Sequence, residues 1–153
     1  FDNGRPTPVI DLDPATKELY GDKDGRYMQD VTTTPDFAES SRIMRAFWAE
    51  EFDSPVDGTV SIDPVALSYL MKATGPVDMP NGDVLTADNV VSTLLNEVYF
   101  RYPDPAVQDA YFAAAAGAVF DSITSVSNPP ALVDEVVRAV DEGRIMYVPA
   151  TDA

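Results

Sequence analysis

Cysteine and histidine are both missing from these 153 residues, and together the two absences remove most side-chain catalysis. Disulfides, thiol nucleophiles, thiolate or imidazole zinc sites and Ser-His-Asp triads all need them. A catalytic site built inside the chain has to use carboxylates, Lys, Arg, Tyr or Ser. Lack of Cys fits either side of a membrane. Basic residues are scarce as well: 10 Lys and Arg stand against 26 Asp and Glu, a formal net charge of −16. That balance repels polyphosphate backbones and anionic membrane surfaces, so nucleic acid is not an expected partner. The simplest reading of the charge is an acidic surface that aids solubility, with calcium as the other obvious counter-ion. Long apolar runs are absent too. The longest, 110–120, lies between Asp109 and Asp121 and falls well short of the roughly 20 residues that span a bilayer. The segment itself is expected to be soluble and to make no membrane contact. The chain opens on Phe1 and not on Met, which reads as a trimmed or processed fragment with any targeting segment upstream.

At 45% hydrophobic the chain has enough apolar side chains for a core. The run 56–77 is its most legible part. Gly58 permits a turn into Thr59-Val60-Ser61-Ile62, a β-branched alternation suited to a strand. Asp63 then caps a helix that Pro64 opens. Ala66, Leu67, Leu70 and Met71 form its apolar face, Ser68 and Lys72 lie outside, and Gly75 with Pro76 stops it.

Elsewhere the punctuation is similar. Residues 1–35 read as an irregular arm or connecting segment in which only Val9-Ile10-Asp11-Leu12 resembles a strand. Residues 36–149 read as a single globular domain and 150–153 as a tail. Asp36 and Glu39 form a capping box ahead of Ile43, Met44, Phe47, Trp48 and Phe52. Asn81-Gly82 between two short apolar runs predicts a hairpin, and Pro80 makes it an edge hairpin. Thr86 caps a helix whose Val90, Val91, Leu94, Leu95, Val98, Tyr99 and Tyr102 share one face until Pro103 ends it. Asp104 and Pro105 open an alanine-rich helix to about Ile123, expected to be central and buried because its side chains are small on all sides. Asn128 and Pro129 start a last helix with Leu132, Val133, Val136, Val137 and Val140 as its core face, followed by a strand at 144–148. The expected class is α/β or α+β, a small mixed sheet covered by about five helices.

Asp22-Lys23-Asp24-Gly25 faintly resembles a calcium loop, but Tyr20 and Val31 stand where an EF-hand needs oxygen ligands, so a solvated acidic loop is the favoured reading. Asp36, Asp63 and Asp104 already serve as caps, Asp141 and Glu142 sit near a helix end, and no spacing picks out a catalytic carboxylate pair. Arg101 lies in the aromatic junction Tyr99-Phe100-Arg101-Tyr102, followed by Gln108; a guanidinium and an amide there suit a phosphate or a sugar hydroxyl. The plainer reading is that Arg101 favours the negative end of its helix and pairs with Asp104.

The run 57–77, Thr34-Pro35-Asp36-Phe37, and Tyr102-Pro103-Asp104-Pro105 with Gln108-Asp109-Ala110-Tyr111-Phe112 together resemble the C-terminal part of the DUF4012 family, a domain of unknown function. The resemblance covers roughly 35–148. Members of that family are large bacterial proteins, found mainly in high-GC Gram-positive species, with an N-terminal membrane anchor and an extracytoplasmic body. A more distant likeness extends to the LytR-CpsA-Psr proteins, extracytoplasmic transferases that move glycopolymers from polyprenyl phosphate carriers to the cell wall. It rests on the order strand, helix, glycine stop, then helix, Arg, helix, Gln. The likeness implies an acidic residue and several arginines around a phosphate, assisted by magnesium. Only Arg101 and Gln108 stand near such positions.

The expected function is an extracytoplasmic cell-envelope domain, non-catalytic, that scaffolds or binds wall polymer or another envelope protein. No cofactor is expected on this reading. The alternative is a divergent glycopolymer phosphotransferase in which Arg101 contacts a carrier phosphate and magnesium assists.

Overall fold

Asp13, Asp36, Asp63 and Asp104 each stand one residue ahead of a helix, where four amides lack partners. In a computed structural model, which describes residues 4–150, each carboxylate takes up amides of the turn it precedes. Asp13 accepts from Ala15 and Thr16, Asp36 from Ala38 and Glu39, Asp63 from Ala66 and Asp104 from Ala106. Pro14, Pro64 and Pro105 begin three of those helices, where a missing N–H costs nothing. The chain divides into two compact units, one of Phe1–Val60 with Met146–Ala153 and the other of Ser61–Ile145. Most of the expected tail 150–153 lies outside the described residues.

The first unit holds α1 (Pro14–Tyr20), the single turn α2 (Lys23–Arg26), a 3₁₀ turn (Met28–Asp30) and α3 (Phe37–Phe52). Its core is Leu12, Val31, Ile43 and Phe47, with Val9, Ile10, Met28 and Met44 packed against it. Where an irregular arm or connecting segment was expected over 1–35, the described residues 4–35 hold two helices and a 3₁₀ turn. Asp13-Pro14 is the same cap-and-proline start as Asp63-Pro64, and Leu12 is buried beside it. Val9 to Leu12 form no strand, because their apolar side chains pack on α3 instead of pairing along an edge. The capping box is half right. Asp36 caps α3, but Glu39 turns away to accept the Asp13 amide at 2.8 Å and to bind Arg42, tying the start of α1 to α3.

β1 (Gly58–Ile62) pairs antiparallel with β4 (Ile145–Pro149), and the division between the units falls within both strands. The second unit continues with α4 (Pro64–Thr74), β2 (Val77–Asp78), β3 (Val84–Leu85), α5 (Val90–Ser92), a π turn (Thr93–Glu97), α6 (Val98–Arg101), α7 (Pro105–Thr124) and α8 (Pro129–Asp141). β2 and β3 form the expected hairpin, Val77 opposite Leu85 and Asp78 opposite Val84, with Gly82 at φ +88° in the turn. The class is mixed α/β, as expected, with the described strands in two separate two-stranded sheets where one small mixed sheet was expected.

The core of this unit is Met71, Val77, Met79, Leu85, Val90, Leu94, Val98, Tyr111 and Ala115. Three expected faces differ. Leu95 and Tyr99 are exposed, because the Val98 amide bonds five residues back to Thr93; this π turn breaks the even three-four repeat and re-aims the residues after it. The alanine-rich α7 buries only Tyr111, Ala115 and Val119, a single stripe, and a Cβ on Gly117 would meet nothing within 4 Å. Small side chains permit close approach but do not attract it. On α8, Val133, Val137 and Val140 are exposed while Ala139 is fully buried. A polar network links α8 to α4: Glu142 accepts from Tyr69 (3.0 Å), Arg138 (3.1 Å) and Arg144 (2.7 Å), Arg144 also binds Asp63 at 3.0 Å, and the Arg138 guanidinium stacks on Tyr69 at 3.9 Å. Ser68, expected outside, is buried and donates to the Val65 carbonyl at 2.7 Å. Among the described residues no helix is long and apolar enough to cross a membrane.

Candidate functional site

The second unit places three pieces of local chemistry at one corner: the β2–β3 turn, the end of α6 and the start of α7. Pro103 cannot extend α6, so the chain leaves the helix at Tyr102 and re-enters one at Asp104-Pro105. The turn is held by Asn81, whose Oδ1 accepts the Asp83 amide at 3.1 Å. Its Nδ2 donates to Asp83 Oδ2 at 3.1 Å and to Tyr102 Oη at 3.2 Å.

Asp83 is the centre of the corner. One of its oxygens accepts from Asn81, from Tyr111 at 3.1 Å and from Arg101. Burial works against its charged form, yet the bonds from Asn81, Tyr111 and Arg101 outweigh it and hold the carboxyl below its usual range. The Tyr111 phenol is pushed up to about 12, first by burial and then by donating to Asp83. Arg101 also lies 3.8 Å from Glu97 and over the Tyr102 ring at 5.9 Å. Its side chain is 41% exposed. The ion partner is therefore Asp83, in place of the expected Asp104, which is taken up as a helix cap.

Gln108 serves the backbone: its Nε2 donates to the Tyr102 carbonyl at 2.7 Å, satisfying a group freed where α6 ends. Arg101 and Gln108 thus flank Tyr102 but bind different things, a carboxylate and a carbonyl. Two hollows open at the corner. One, about 330 Å³, is lined by Met79, Pro80, Asn81, Tyr102, Val107, Ala110, Tyr111 and Ala114. The other, about 150 Å³, is polar and is formed by Asp83, Asn89, Thr93, Glu97 and Arg101 with Val84, Leu85 and Tyr111. Arg101 stands out in the sequence as a cation among aromatics, whereas Asn81 is legible there only as a turn residue and Asp83 only as its neighbour, with no chemical signature of their own. Tyr111 is visible in the sequence only as an aromatic in a helix.

Among the described residues no group of three or more acidic side chains is placed to hold a metal ion. Magnesium is commonly held by one or two carboxylates together with the phosphates of a substrate, and the two carboxylates beside Arg101, Asp83 and Glu97, are both paired with it.

No curated protein and no solved structure matches the chain. One family model does, over residues 2–99, and it is described as a protein of unknown function, DUF4012. The match begins well before the expected residue 35 and takes in the helices of the first unit; it stops short of the Tyr102 to Phe112 run. With well over half of its length matched, the chain belongs to the DUF4012 family.

Proposed function

We propose that this chain is a non-catalytic part of an extracytoplasmic cell-envelope protein, and that the tyrosine-lined cleft of its second unit receives an apolar side chain of a partner protein. The observation that carries this reading is the cleft wall. Met79, Pro80, Val107, Ala110 and Ala114 present carbon, Tyr111 has its hydroxyl turned to Asp83, and Asn81 is occupied on both sides. A wall glycan would bring hydroxyls into this lining, and each hydroxyl buried without a partner costs about 1–3 kcal/mol. An apolar side chain gains about 1.5–3 kcal/mol when fully buried. The cleft volume lies at the lower end of the range for ligand sites. The envelope location draws on the family and on the anchored, extracytoplasmic architecture that the resemblance implies.

A second reading, a divergent glycopolymer phosphotransferase, draws on the exposure of Arg101 at the rim of the polar hollow. A carrier phosphate there would have to displace Asp83 and approach Glu97, a carboxylate in its own right. Calorimetric titration of inorganic pyrophosphate with magnesium into the wild type and Arg101→Ala separates the two. The binding-module reading expects no heat of binding in either protein. Binding to the wild type that Arg101→Ala weakens would overturn it in favour of the transferase.

A further inference from the structure

Asp24 in the first unit is fully buried, and neither of its carboxylate oxygens has a hydrogen-bond partner among the described residues. The nearby buried acid Glu39 is treated differently, since it binds Arg42 and accepts the Asp13 amide. The segment 5–12 closes this part of the unit. The Arg5 amide donates to the Arg26 carbonyl at 2.8 Å, Arg26 Nε donates to the Arg5 carbonyl at 2.7 Å, and the Val9 amide donates to the Gly25 carbonyl at 2.9 Å. The approach is close enough that a Cβ on Gly25 would stand 2.7 Å from Pro8 Cβ and 3.1 Å from a Leu12 methyl. Leu12 anchors the far end of the segment in the core.

An ionised carboxylate buried with no donor from the protein is the costliest state available to it. The charged groups that act on Asp24 are Lys23 on its own helix, Asp30 on the following turn and Glu39 on α3. Lys23 favours the anion; burial, Asp30 and Glu39 oppose it, and burial is the largest effect, so the carboxyl is held above the usual Asp range. We propose that segment 5–12 is a proton-dependent latch, closed over α2 while Asp24 carries its proton and released when that proton passes to solvent water.

In the open state Asp24 titrates near the ordinary Asp value, about 3.9. Closing therefore takes up a proton between that value and the raised one. Over that interval the opening constant grows up to tenfold per pH unit, and it is flat below and above. The test is amide hydrogen exchange on the full chain from pH 4.5 to 8, corrected for intrinsic exchange, read at Arg5 and Val9. The latch predicts that both opening constants rise together with pH, that the Val98 amide of the other unit does not follow them, and that Asp24→Asn abolishes the rise. A flat wild-type profile, or a rise that persists in Asp24→Asn, overturns it. Should Asp24→Asn fail to fold, a carbon-13 titration of the wild-type Asp24 carboxyl is set against the exchange profile. A midpoint above the ordinary Asp range that coincides with the pH at which the rise at Arg5 and Val9 levels off supports the latch, and a midpoint at or below that range, or one that falls away from that pH, overturns it.

Discussion

Asp83 concentrates donors from Asn81, Tyr111 and Arg101 on a single oxygen, so the corner depends on one carboxylate staying charged. Replacing it by Asn keeps the shape and removes the charge. Two of the causes that raise the Tyr111 phenol act through Asp83, and Asp83→Asn is therefore expected to bring its titration down from about 12 toward the ordinary value of about 10, observed by NMR at the Tyr111 ring. Burial remains, so the fall is partial. Glu142 offers a pH test in the same unit. The Arg144 bond, then those from Tyr69 and Arg138, hold its carboxyl at about 2, below the unfolded value of about 4.3. A depressed acid stabilises the fold above its unfolded value and loses that contribution as pH falls toward the folded one. Glu142→Gln is expected to lower the urea midpoint at pH 7, with the difference from wild type shrinking between pH 4 and 2 as both proteins come to carry a neutral side chain there. A constant difference across that window would contradict the assignment. Arg101 was legible in the sequence as a lone cation among aromatics, but its partner was not, because the carboxylate that binds it lies 18 residues away in a hairpin turn.

At the scale of elements, the starts of helices were the most legible feature. Asp63-Pro64 and Asp104-Pro105 cap and open their helices in the structure, since an N-cap acts on amides two or three residues away and needs no tertiary partner. Asp63→Ala is expected to cost about 1 kcal/mol for the cap alone, with a further loss because Asp63 also binds Arg144; urea denaturation measures it. Gly75 closes α4 at φ +87° with nothing within 4 Å of a Cβ. With ψ at −173° it lies in a region that glycine alone adopts readily, so Gly75→Ala meets backbone strain only, about 1–3 kcal/mol, whereas Met71→Ala, which opens a hole in the core, is expected to cost about 2–5 kcal/mol. Buried faces were harder to read than ends. The repeat through Val90, Leu94 and Val98 holds, but Leu95 and Tyr99 leave the core because the π turn adds a residue that no side-chain pattern announces. The valines of α8 mislead in another way: the helix is tied to α4 by Tyr69, Arg138, Glu142 and Arg144, and only the arrangement of those groups in space reveals which side is inward. The Asp13 cap shows the converse. Its signal was present, yet the surrounding Pro, Gly and Asp made the segment resemble a linker.

For the whole molecule, the net charge of −16 and the pairing of Arg101 point away from anionic ligands, while the cleft beside Tyr102 offers carbon and little else. The claim that this corner takes an apolar group and not a phosphate is tested most directly by one NMR titration series on the isotope-labelled full chain. N-acetyl-phenylalaninamide is one probe and inorganic pyrophosphate with magnesium the other. N-acetyl-phenylalaninamide is expected to perturb Met79, Tyr102, Ala110 and Ala114, Ala110→Phe, which fills the cleft mouth, to remove the effect, and pyrophosphate to leave Arg101 unmoved. Shifts centred on Arg101 with pyrophosphate, and a cleft indifferent to the apolar probe, would contradict that claim.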